Sequence, residues 1–519
     1  MRIRLLSLLA APLLITCTLN AQGRGGRGGG APAAQSDSST PAAERFPAPP
    51  AVETTSKTEH EITINGKRIP YTATAGTLIL KKDDKPWANM FYVAYVRSDV
   101  QDTSKRPITF SFNGGPGSAS IWLHMGALGP KRVVMGPEGD QPKPPYRLAD
   151  NEDTVLDYSD IVFIDPVTTG YSRNAPGVNP ADFHSFDGDL QSVAAFIESY
   201  LGKSNRWDSP KFLAGESYGT TRASALSQYL LNTYGIYLNG VTLISSVLNF
   251  ETISFNSGND LPYALYLPSY TATAWYHKKL PKDLQSDLEK AVGESRRFAA
   301  NEYTVALMKG DKLTATERAQ VVKQLARLTG LSEQYVEETN LRIDIQRFCK
   351  ELLRGERKTV GRYDSRLEGA DLDAAGETPE YDPSYASVQG PFTAVFNEYI
   401  RKDLKYETDL TYEALTNKVR PWSYGRFENR YVNTAEMMRE AMTQNPNMKV
   451  MIANGYYDLA TPFFATEYTV NHMGMEPAIA SHVGLTYCEA GHMLYTKKAC
   501  LDNLHKSMED FYQKAVPAP

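Results

Sequence analysis

Hydrophobic and polar residues alternate along the first stretch of the chain that carries large apolar side chains. Residues 61–64 and 67–71 alternate around Asn65-Gly66, a dipeptide typical of a tight hairpin turn. Residues 77–82 and 90–97 continue the same two-residue period. The pattern predicts that the folded part of the chain begins near residue 61 with antiparallel strands.

Continuous apolar runs follow, and they alternate with segments of helical period. The runs predicted as buried strands are residues 108–112, 160–165, 211–214, 240–248, 449–453 and 484–488. The segments predicted as helices are residues 186–201, 220–230, 434–444, 466–472 and 501–514. Buried strands that alternate with helices are typical of a parallel sheet with helices on both faces. The sequence therefore predicts an α/β fold with a mostly parallel central sheet.

Between about residues 251 and 427 the chain changes to helical periods that leave one face polar. The helices predicted there are residues 280–308, 314–328, 332–340 and 343–354, and a polar, loop-like stretch follows at 355–385. Thr314 is placed to cap its helix, with Glu317 three residues on. We interpret the whole segment as a helical cap inserted over the sheet rather than an independent domain.

The amino terminus has the features of a secretory signal peptide. Arg2 and Arg4 precede a short apolar run, and Ala21 offers a small residue for cleavage. Residues 1–21 are therefore predicted to be a signal peptide, which implies export to the periplasm or the extracellular space. Cys17 leaves a second and less favoured interpretation, a lipoprotein anchor, because the threonine before it fits that signal poorly.

Residues 22–56 consist mainly of Gly, Ala, Pro and Ser and predict a flexible tether, which leaves 57–519 as the folded domain. Acidic and basic residues are mixed along the chain and the net charge is −5, so no basic patch indicates a nucleic acid partner. No later apolar run reaches the ~20 residues needed to span a bilayer. Nothing in the sequence indicates the oligomeric state.

Export permits disulfides, and three cysteines follow the predicted signal peptide. Cys488 and Cys500 are close in sequence and flank a candidate loop, so we expect them to pair. Cys349 falls in an apolar-periodic helix and is interpreted as a buried thiol. The cysteine spacings give no zinc signature.

The segment Gly215-Glu216-Ser217-Tyr218-Gly219 lies between a predicted strand and a predicted helix. A serine at so sharp a turn has a strained backbone, and its hydroxyl points out of the sheet as a nucleophile. The Tyr218 N–H at the start of the helix faces the same space. The alternative is a glycine-flanked turn whose serine only caps the helix.

A nucleophilic serine needs a base and a carboxylate that orients the base. Among eight histidines only His492 follows directly on an apolar strand, and Asp458 lies in the turn after another strand. Each alone could be a surface histidine or a turn former. The order Ser217, Asp458, His492, each after a strand, is that of the α/β-hydrolases.

A developing oxyanion needs hydrogen-bond donors. The glycine-rich loop Asn113-Gly114-Gly115-Pro116-Gly117 follows a predicted strand and leaves its backbone N–H groups unshielded. We therefore predict that the N–H groups of Gly115 and Tyr218 form the oxyanion hole.

Four motifs, FNGGPGS, GESYG, NGYYD and AGHM, occur in the order in which they occur in the serine carboxypeptidases, and the chain resembles that family over about residues 60–510. The resemblance implies an α/β-hydrolase fold with a helical insertion over the active site, and no metal or organic cofactor. It also implies that Asn113 and Glu216 bind the C-terminal carboxylate of a peptide substrate. A glutamate donates a hydrogen bond only when protonated, so binding should improve at acidic pH.

The sequence departs from the family pattern at three places. Ala127 stands where a glutamate normally assists the carboxylate network, and Ser118 stands where a cysteine normally follows GGPG. Leu494-Tyr495 replaces the usual Val-Pro after Gly-His-Met. These changes leave the predicted triad intact and make strict C-terminal specificity less secure.

The resulting hypothesis is a secreted serine carboxypeptidase that hydrolyses peptides through an acyl-enzyme on Ser217. An esterase or acyltransferase with the same triad is the first alternative, and Ala127 is its best support. A binding protein on an inactive hydrolase scaffold is the second. The helical insertion should shape the pocket for the substrate side chain, but it contains no motif that predicts which side chain is preferred.

Overall fold

A computed structural model describes residues 46–516 of the chain. The predicted signal peptide, Cys17 and most of the predicted tether lie outside the described residues. No helix within the described part is long and apolar enough to cross a membrane.

Fourteen strands occur in the described residues. They are β1 Thr55–Ile64, β2 Lys67–Lys82, β3 Lys85–Arg97, β4 Ile108–Phe112, β5 Lys131–Val133, β6 Leu148–Asp150, β7 Asp160–Ile164, β8 Arg173–Asn174, β9 Lys211–Ser217, β10 Gly240–Ser246, β11 Lys358–Val360, β12 Glu368–Ala370, β13 Lys449–Gly455 and β14 Val483–Cys488.

Fifteen α-helical segments connect or cover these strands within the described residues. They are α1 Ile121–Leu123, α2 Phe186–Lys203, α3 Tyr218–Tyr234, α4 Leu261–Tyr276, α5 Lys282–Gln285, α6 Leu288–Phe298, α7 Thr304–Lys309, α8 Ala315–Thr329, α9 Glu333–Glu338, α10 Ile345–Glu351, α11 Pro383–Lys402, α12 Ala435–Gln444, α13 Phe463–Asn471, α14 Pro477–Ala480 and α15 Lys498–Ala515. The π-helical turns His124–Leu128 and Ala299–Tyr303 extend α1 and join α6 to α7.

One large sheet organises the molecule, with the order β1-β2-β3-β7-β4-β9-β10-β13-β14 and with β8 paired to β3. Strands β1, β2, β3 and β7 pair antiparallel. From β7 through β4, β9, β10 and β13 to β14 every pair is parallel. This mostly parallel sheet confirms the predicted α/β class, and it brings the carboxyl ends of β4, β9, β13 and β14 to one edge.

Side chains of the parallel strands point alternately to two apolar cores, one on each face of the sheet. Phe212 packs into one core with helices α11 and α15, and its neighbour Leu213 packs into the other with α2, α3 and α12. Because helices cover both sides of the central strands β4, β7, β9, β10 and β13, almost all residues of these strands are buried, which explains their continuous apolar runs in the sequence.

The segment between β10 and α12 is helical, as predicted, and has an apolar core of its own. Helix α8 begins with the predicted capping box between Thr314 and Glu317. Helix α4 was not predicted, because it is apolar around most of its circumference and shows no helical period. The single helix predicted at 280–308 is broken into α5, α6 and α7, because Asp287 caps a new start within it.

The antiparallel strands are longer than predicted. The two short strands expected at 67–71 and 77–82 form the one strand β2, whose middle packs small residues such as Ala73 and Ala75 against the core. Strand β1 begins at Thr55, and the Thr54 N–H donates to Thr77 Oγ1 at 3.0 Å. The carboxyl end of the segment predicted as a tether therefore lies along the edge of the sheet.

Candidate active site

Ser217 is the last residue of β9 and directly precedes α3, at the sharp turn predicted from the sequence. Its backbone has φ +60° and ψ −131°, a conformation that side chains rarely adopt. A Cβ added to Gly215 would lie 2.3 Å from the Gly219 carbonyl oxygen, and one added to Gly219 would lie 2.8 Å from the Phe112 carbonyl oxygen, so both flanking positions need glycine. The Ser217 side chain makes no capping hydrogen bond to the helix. The interpretation of Ser217 as a mere helix cap is therefore not supported.

His492 and Asp458 form a buried pair beyond the ends of β14 and β13. Nδ1 of His492 donates to Oδ2 of Asp458 at 2.8 Å, and both side chains are almost fully buried. Burial opposes protonation of His492, but the Asp458 carboxylate outweighs it, so the pKa of His492 is raised. With Nδ1 committed as a donor, Nε2 is the nitrogen left to accept a proton.

Thr461 holds the Asp458 carboxylate in place, a role that sequence analysis missed. The Thr461 N–H donates to Oδ1 of Asp458 at 2.9 Å, and its hydroxyl donates to Oδ2 at 2.7 Å. The Ala460 N–H also donates to Oδ1, at 2.7 Å. A threonine three residues after an aspartate in a turn is the available sequence signal, because this spacing allows such side-chain to backbone bonds.

Ser217 and His492 line one cavity of about 320 Å³, together with Asn113, Gly115 and Glu216. Asp458 lies behind His492, out of contact with solvent. The structure thus brings together the residues predicted separately from three strand ends, since β9, β13 and β14 run parallel and end at the same edge.

The glycine-rich loop after β4 lies directly against the start of α3. A Cβ on Gly114 would be 2.4 Å from the Tyr218 nitrogen, so only glycine permits this approach. Tyr218 is the first residue of its helix and its N–H has no acceptor within the helix. Gly115 adopts φ +103°, a conformation that favours glycine. The two predicted oxyanion donors therefore belong to adjoining backbone segments.

A buried ion pair anchors this loop. Nη1 of Arg222 donates to the Asn113 carbonyl at 2.7 Å, and Nε of Arg222 donates to Asp189 at 2.8 Å. The side chains of Arg222 and Asp189 are only 1% and 4% exposed. Removing either partner would leave an uncompensated buried charge behind the loop.

Asn113 and Glu216 present polar groups to the cavity next to Ser217. Oδ1 of Asn113 accepts from the Leu123 N–H at 3.0 Å, which fixes the orientation of the amide. Its Nδ2 is buried and has no hydrogen-bond partner among residues 46–516. Burial raises the pKa of Glu216 to about 7, although the charge of His492 opposes the shift. Near neutral pH Glu216 is therefore partly protonated and able to donate.

Tyr495 is the partner of Glu216. Its hydroxyl donates to Oε2 of Glu216 at 2.5 Å. Its ring lies against Gly126, where an added Cβ would be 2.5 Å from a ring carbon, and the neighbouring Ala127 is fully buried. The sequence showed Tyr495 only as a departure from the family pattern. The structure shows that it contacts the very glutamate that the missing acidic residue at 127 was expected to assist.

The segment 361–366 of the helical insertion covers the histidine loop. The His492 N–H donates to the Tyr363 carbonyl at 2.6 Å, and the Gly491 N–H donates to Oδ2 of Asp364 at 3.2 Å. A Cβ on Gly491 would be 2.4 Å from the Tyr363 carbonyl oxygen. The insertion therefore supports the backbone of His492 as well as closing the cavity.

A disulfide joins Cys488 to Cys500, as predicted, with 5.9 Å between the Cα atoms. It ties the end of β14 to α15 and encloses the His492 loop. Cys349 is buried and unpaired among the described residues, in agreement with its interpretation as a buried thiol.

Comparison with known families and structures gives one consistent result. A family model described as serine carboxypeptidase matches residues 67–483, a range that includes Ser217 and Asp458 and stops before His492. No curated protein sequence matches the chain significantly.

Among solved structures, Kex1(Δ)p, a prohormone-processing carboxypeptidase from Saccharomyces cerevisiae, is similar to the chain with a TM-score of 0.53 and 15% identity, over 85% of this chain and 91% of that one. A thermophilic esterase from Thermogutta terrifontis gives a TM-score of 0.30 and 10% identity, over 89% and 100% of the two chains. The family match and the similarity to Kex1(Δ)p confirm the predicted α/β-hydrolase fold.

Proposed function

The chain belongs to the serine carboxypeptidase family, and we propose that it is an exported enzyme that removes the C-terminal residue of peptides through an acyl-enzyme on Ser217. The observation that carries the proposal is the position of Asn113 Nδ2 and Glu216 in the same cavity as Ser217 and His492. A nucleophile beside a carboxylate-binding pair is what an exopeptidase requires.

In the proposed reaction, Oγ of Ser217 attacks the scissile carbonyl carbon while Nε2 of His492 takes the hydroxyl proton. Asp458 keeps the imidazole in the required tautomer and stabilises its charge. The N–H groups of Gly115 and Tyr218 stabilise the oxyanion, and each such donor typically contributes ~2.7–4 kcal/mol. His492 then gives the proton to the leaving amino group as the C–N bond breaks. Water, activated by His492, releases the acyl group from Ser217.

Recognition of the C-terminal carboxylate falls to Asn113 and Glu216. The Nδ2 of Asn113 donates one hydrogen bond without a change of protonation. Glu216 donates the second when it is protonated, which its pKa of about 7 allows from acidic to near-neutral pH. Above that range the ionised Glu216 repels the substrate carboxylate, so peptide binding weakens.

The deciding experiment compares a blocked dipeptide that has a free C-terminus with the same dipeptide amidated, below and above the pKa of about 7 of Glu216. We expect cleavage of the free acid alone, a lower KM for it at the lower pH, where Glu216 is protonated, and loss of activity in Ser217→Ala. Equal cleavage of both dipeptides, or of neither, would overturn the carboxypeptidase proposal. A fluorophosphonate probe that labels the protein but not Ser217→Ala would still establish a serine hydrolase.

The second candidate is an esterase or acyltransferase that uses the same triad. Ala127 favours it, because the buried position offers no acidic side chain to the carboxylate site. Hydrolysis of blocked esters without any activity on free-acid peptides would identify this alternative.

Export is part of the proposal and is supported by the disulfide between Cys488 and Cys500, since such bonds persist in oxidising compartments. Fractionation of cells that express the full chain would test it. We expect a processed protein outside the cytoplasm, and an unprocessed cytoplasmic protein would contradict export.

A further inference from the structure

Arg362 brings a positive charge to the active-site cavity without an acidic partner. The residue lines the cavity and is only partly buried. Within residues 46–516, no carboxylate oxygen lies within 4.0 Å of its guanidinium. The guanidinium lies over the Tyr363 ring, 5.1 Å from its centroid. A guanidinium stacked on an aromatic face keeps its N–H groups available at its edge.

The fully buried arginines of the described chain provide the contrast. Their side chains are 1–8% exposed and each contacts an aspartate at 2.6–2.8 Å; they are Arg106, Arg206, Arg222 and Arg366. Arginines removed from water are normally paired in this way. Arg362 is thus a charged group held at the wall of a cavity with its usual partner missing.

The nearest acidic groups are already engaged elsewhere. Asp458 accepts from His492, and Oδ1 of Asp382 accepts from backbone N–H groups of Arg362 and Ser384 at the start of α11. Glu216 is the acidic residue among those that line the cavity, and its hydrogen bond goes to Tyr495. Arg420 lines the same cavity and adds a second positive charge.

We propose that Arg362, assisted by Arg420, binds the side-chain carboxylate of a substrate residue next to the scissile bond, so that peptides with Asp or Glu in one of the last two positions are preferred. This inference rests on the proposed carboxypeptidase function. A guanidinium pairs with a carboxylate through two parallel hydrogen bonds, which gives both affinity and geometric selection. The C-terminal carboxylate is assigned to Asn113 and Glu216, which leaves the arginines for a second carboxylate.

The cavity should discriminate charge more than size. A glutamine side chain has the shape of glutamate but no charge, so it loses the charge-assisted part of the interaction. Hydrogen bonds to charged groups typically correspond to a factor of about ten to a hundred in affinity. A lysine side chain would meet like charge and should bind worst of all.

Binding to the inactive Ser217→Ala variant tests the inference without relying on turnover. N-blocked dipeptides with Glu, Gln or Lys in either of the two positions are compared by calorimetry, each as the free acid and as the amide. We expect Glu to bind about ten to a hundred times more tightly than Gln at one position, in both the acid and the amide series. Adding Arg362→Gln should bring that ratio close to one, while Arg297→Gln, an exposed arginine in α6, should leave it unchanged.

The acid and amide series separate the two possible sources of carboxylate. If Arg362→Gln weakens every free acid equally and leaves the amides unaffected, Arg362 binds the C-terminal carboxylate and the inference is wrong. Equal affinities for the Glu and Gln peptides before any change of Arg362 would also overturn the inference. This comparison does not depend on whether the Arg362 variant folds. Arg362→Lys keeps the positive charge but cannot make the two parallel hydrogen bonds, so it should give an intermediate ratio of Glu to Gln affinity. Failure of the carboxypeptidase function would appear separately, as absent turnover by the unmodified enzyme.

Discussion

The Tyr495 hydroxyl donates a hydrogen bond to Oε2 of Glu216, the residue directly before Ser217. Because a phenol keeps its proton far above neutral pH, Tyr495 is a constant donor to this glutamate. A second carboxyl group at position 127 would have shared a proton with Glu216 instead. Glu216, in the proposed carboxylate site, is therefore bonded to a tyrosine that does not titrate with it near neutral pH.

Replacing Tyr495 with Phe should alter peptide binding and its pH dependence. The hydroxyl stabilises ionised Glu216, so its loss should raise the pKa of Glu216 above about 7. The alkaline fall of kcat/KM for a free-acid dipeptide should then move to higher pH. Loss of the orienting hydrogen bond, which is typically ~1 kcal/mol, should raise KM several-fold at acidic pH with little change in kcat.

Steady-state kinetics across pH measure this effect, with an ester substrate and Tyr385→Phe as controls. Tyr385 lines the cavity, but the hydrogen bond to Glu216 comes from Tyr495, so the Tyr385 variant should keep the original profile. If the alkaline fall of kcat/KM stays at the same pH in Tyr495→Phe, Glu216 does not control peptide binding.

Glu216→Gln should make the stability of the protein less dependent on pH. The pKa of Glu216 is about 7 in the folded protein against 4.5 in the unfolded chain, so the glutamate favours folding fully below 4.5 and loses that contribution as pH rises through 7. The free energy of unfolding of the glutamine variant, compared with that of the unmodified protein, should therefore be about 3 kcal/mol more favourable at alkaline than at acidic pH.

Urea unfolding on both sides of the pKa of Glu216 measures that gain. Glu302→Gln changes an exposed glutamate and should show the same small difference at both pH values. If the two variants respond to pH alike, the pKa of Glu216 is not raised in the folded protein.

Thr461→Val should lower kcat without changing KM. The valine keeps the shape but removes the hydroxyl donor from Oδ2 of Asp458 and leaves a buried carboxylate with one partner fewer. The expected losses are about tenfold in kcat and about 1–3 kcal/mol in stability. Thr461 is a positioning residue, so Thr461→Ser should restore kcat.

Thr466→Val provides the matched control for this prediction. Thr466 is a buried threonine nearby whose hydroxyl bonds Ser246 and Asn454 rather than the aspartate. Equal loss of kcat in both valine variants would assign the effect to general destabilisation. Thermal unfolding measured beside the kinetics separates the two cases.

Gly114→Ala should damage the proposed oxyanion hole. The added methyl would lie 2.4 Å from the Tyr218 nitrogen and must push the loop away from the nucleophile turn. Displacement of one donor typically costs a factor of ~10²–10³ in kcat. Gly484→Ala, where an added Cβ meets nothing within 4 Å, should keep nearly full activity. Turnover of an ester substrate by the two variants measures the difference, and similar rates would contradict the assignment.

The positions of the predicted triad could be foreseen because each depends on a local pattern. An apolar strand that ends in a turn fixes where Ser217, Asp458 and His492 stand, and parallel pairing brings strand ends together whatever the loops between them. Most parallel strands were located for the same reason, since burial on both faces leaves a continuous apolar run.

What was missed depends on contacts between distant parts of the chain. The contact of Tyr495 with Glu216 joins residues 279 positions apart, and no local pattern marks it. Helix α11 buries one face at helical spacing, but it follows a polar stretch and contains Pro391, a residue that disfavours a helix interior, so it was not predicted. That Arg362 lines the cavity without an acidic partner among the described residues could be seen only in the structure.

The backbone contact between Tyr363 and His492 has an evolutionary consequence. Exchanging the whole helical insertion between relatives would replace the segment that contacts the proposed catalytic base, so we expect substrate preference and reactivity to change together. New specificity is then reached most safely by changing single side chains, such as that of Arg362, while the main chain from 363 to 365 is kept. The insertion is better regarded as a wall of the reaction centre than as an interchangeable lid.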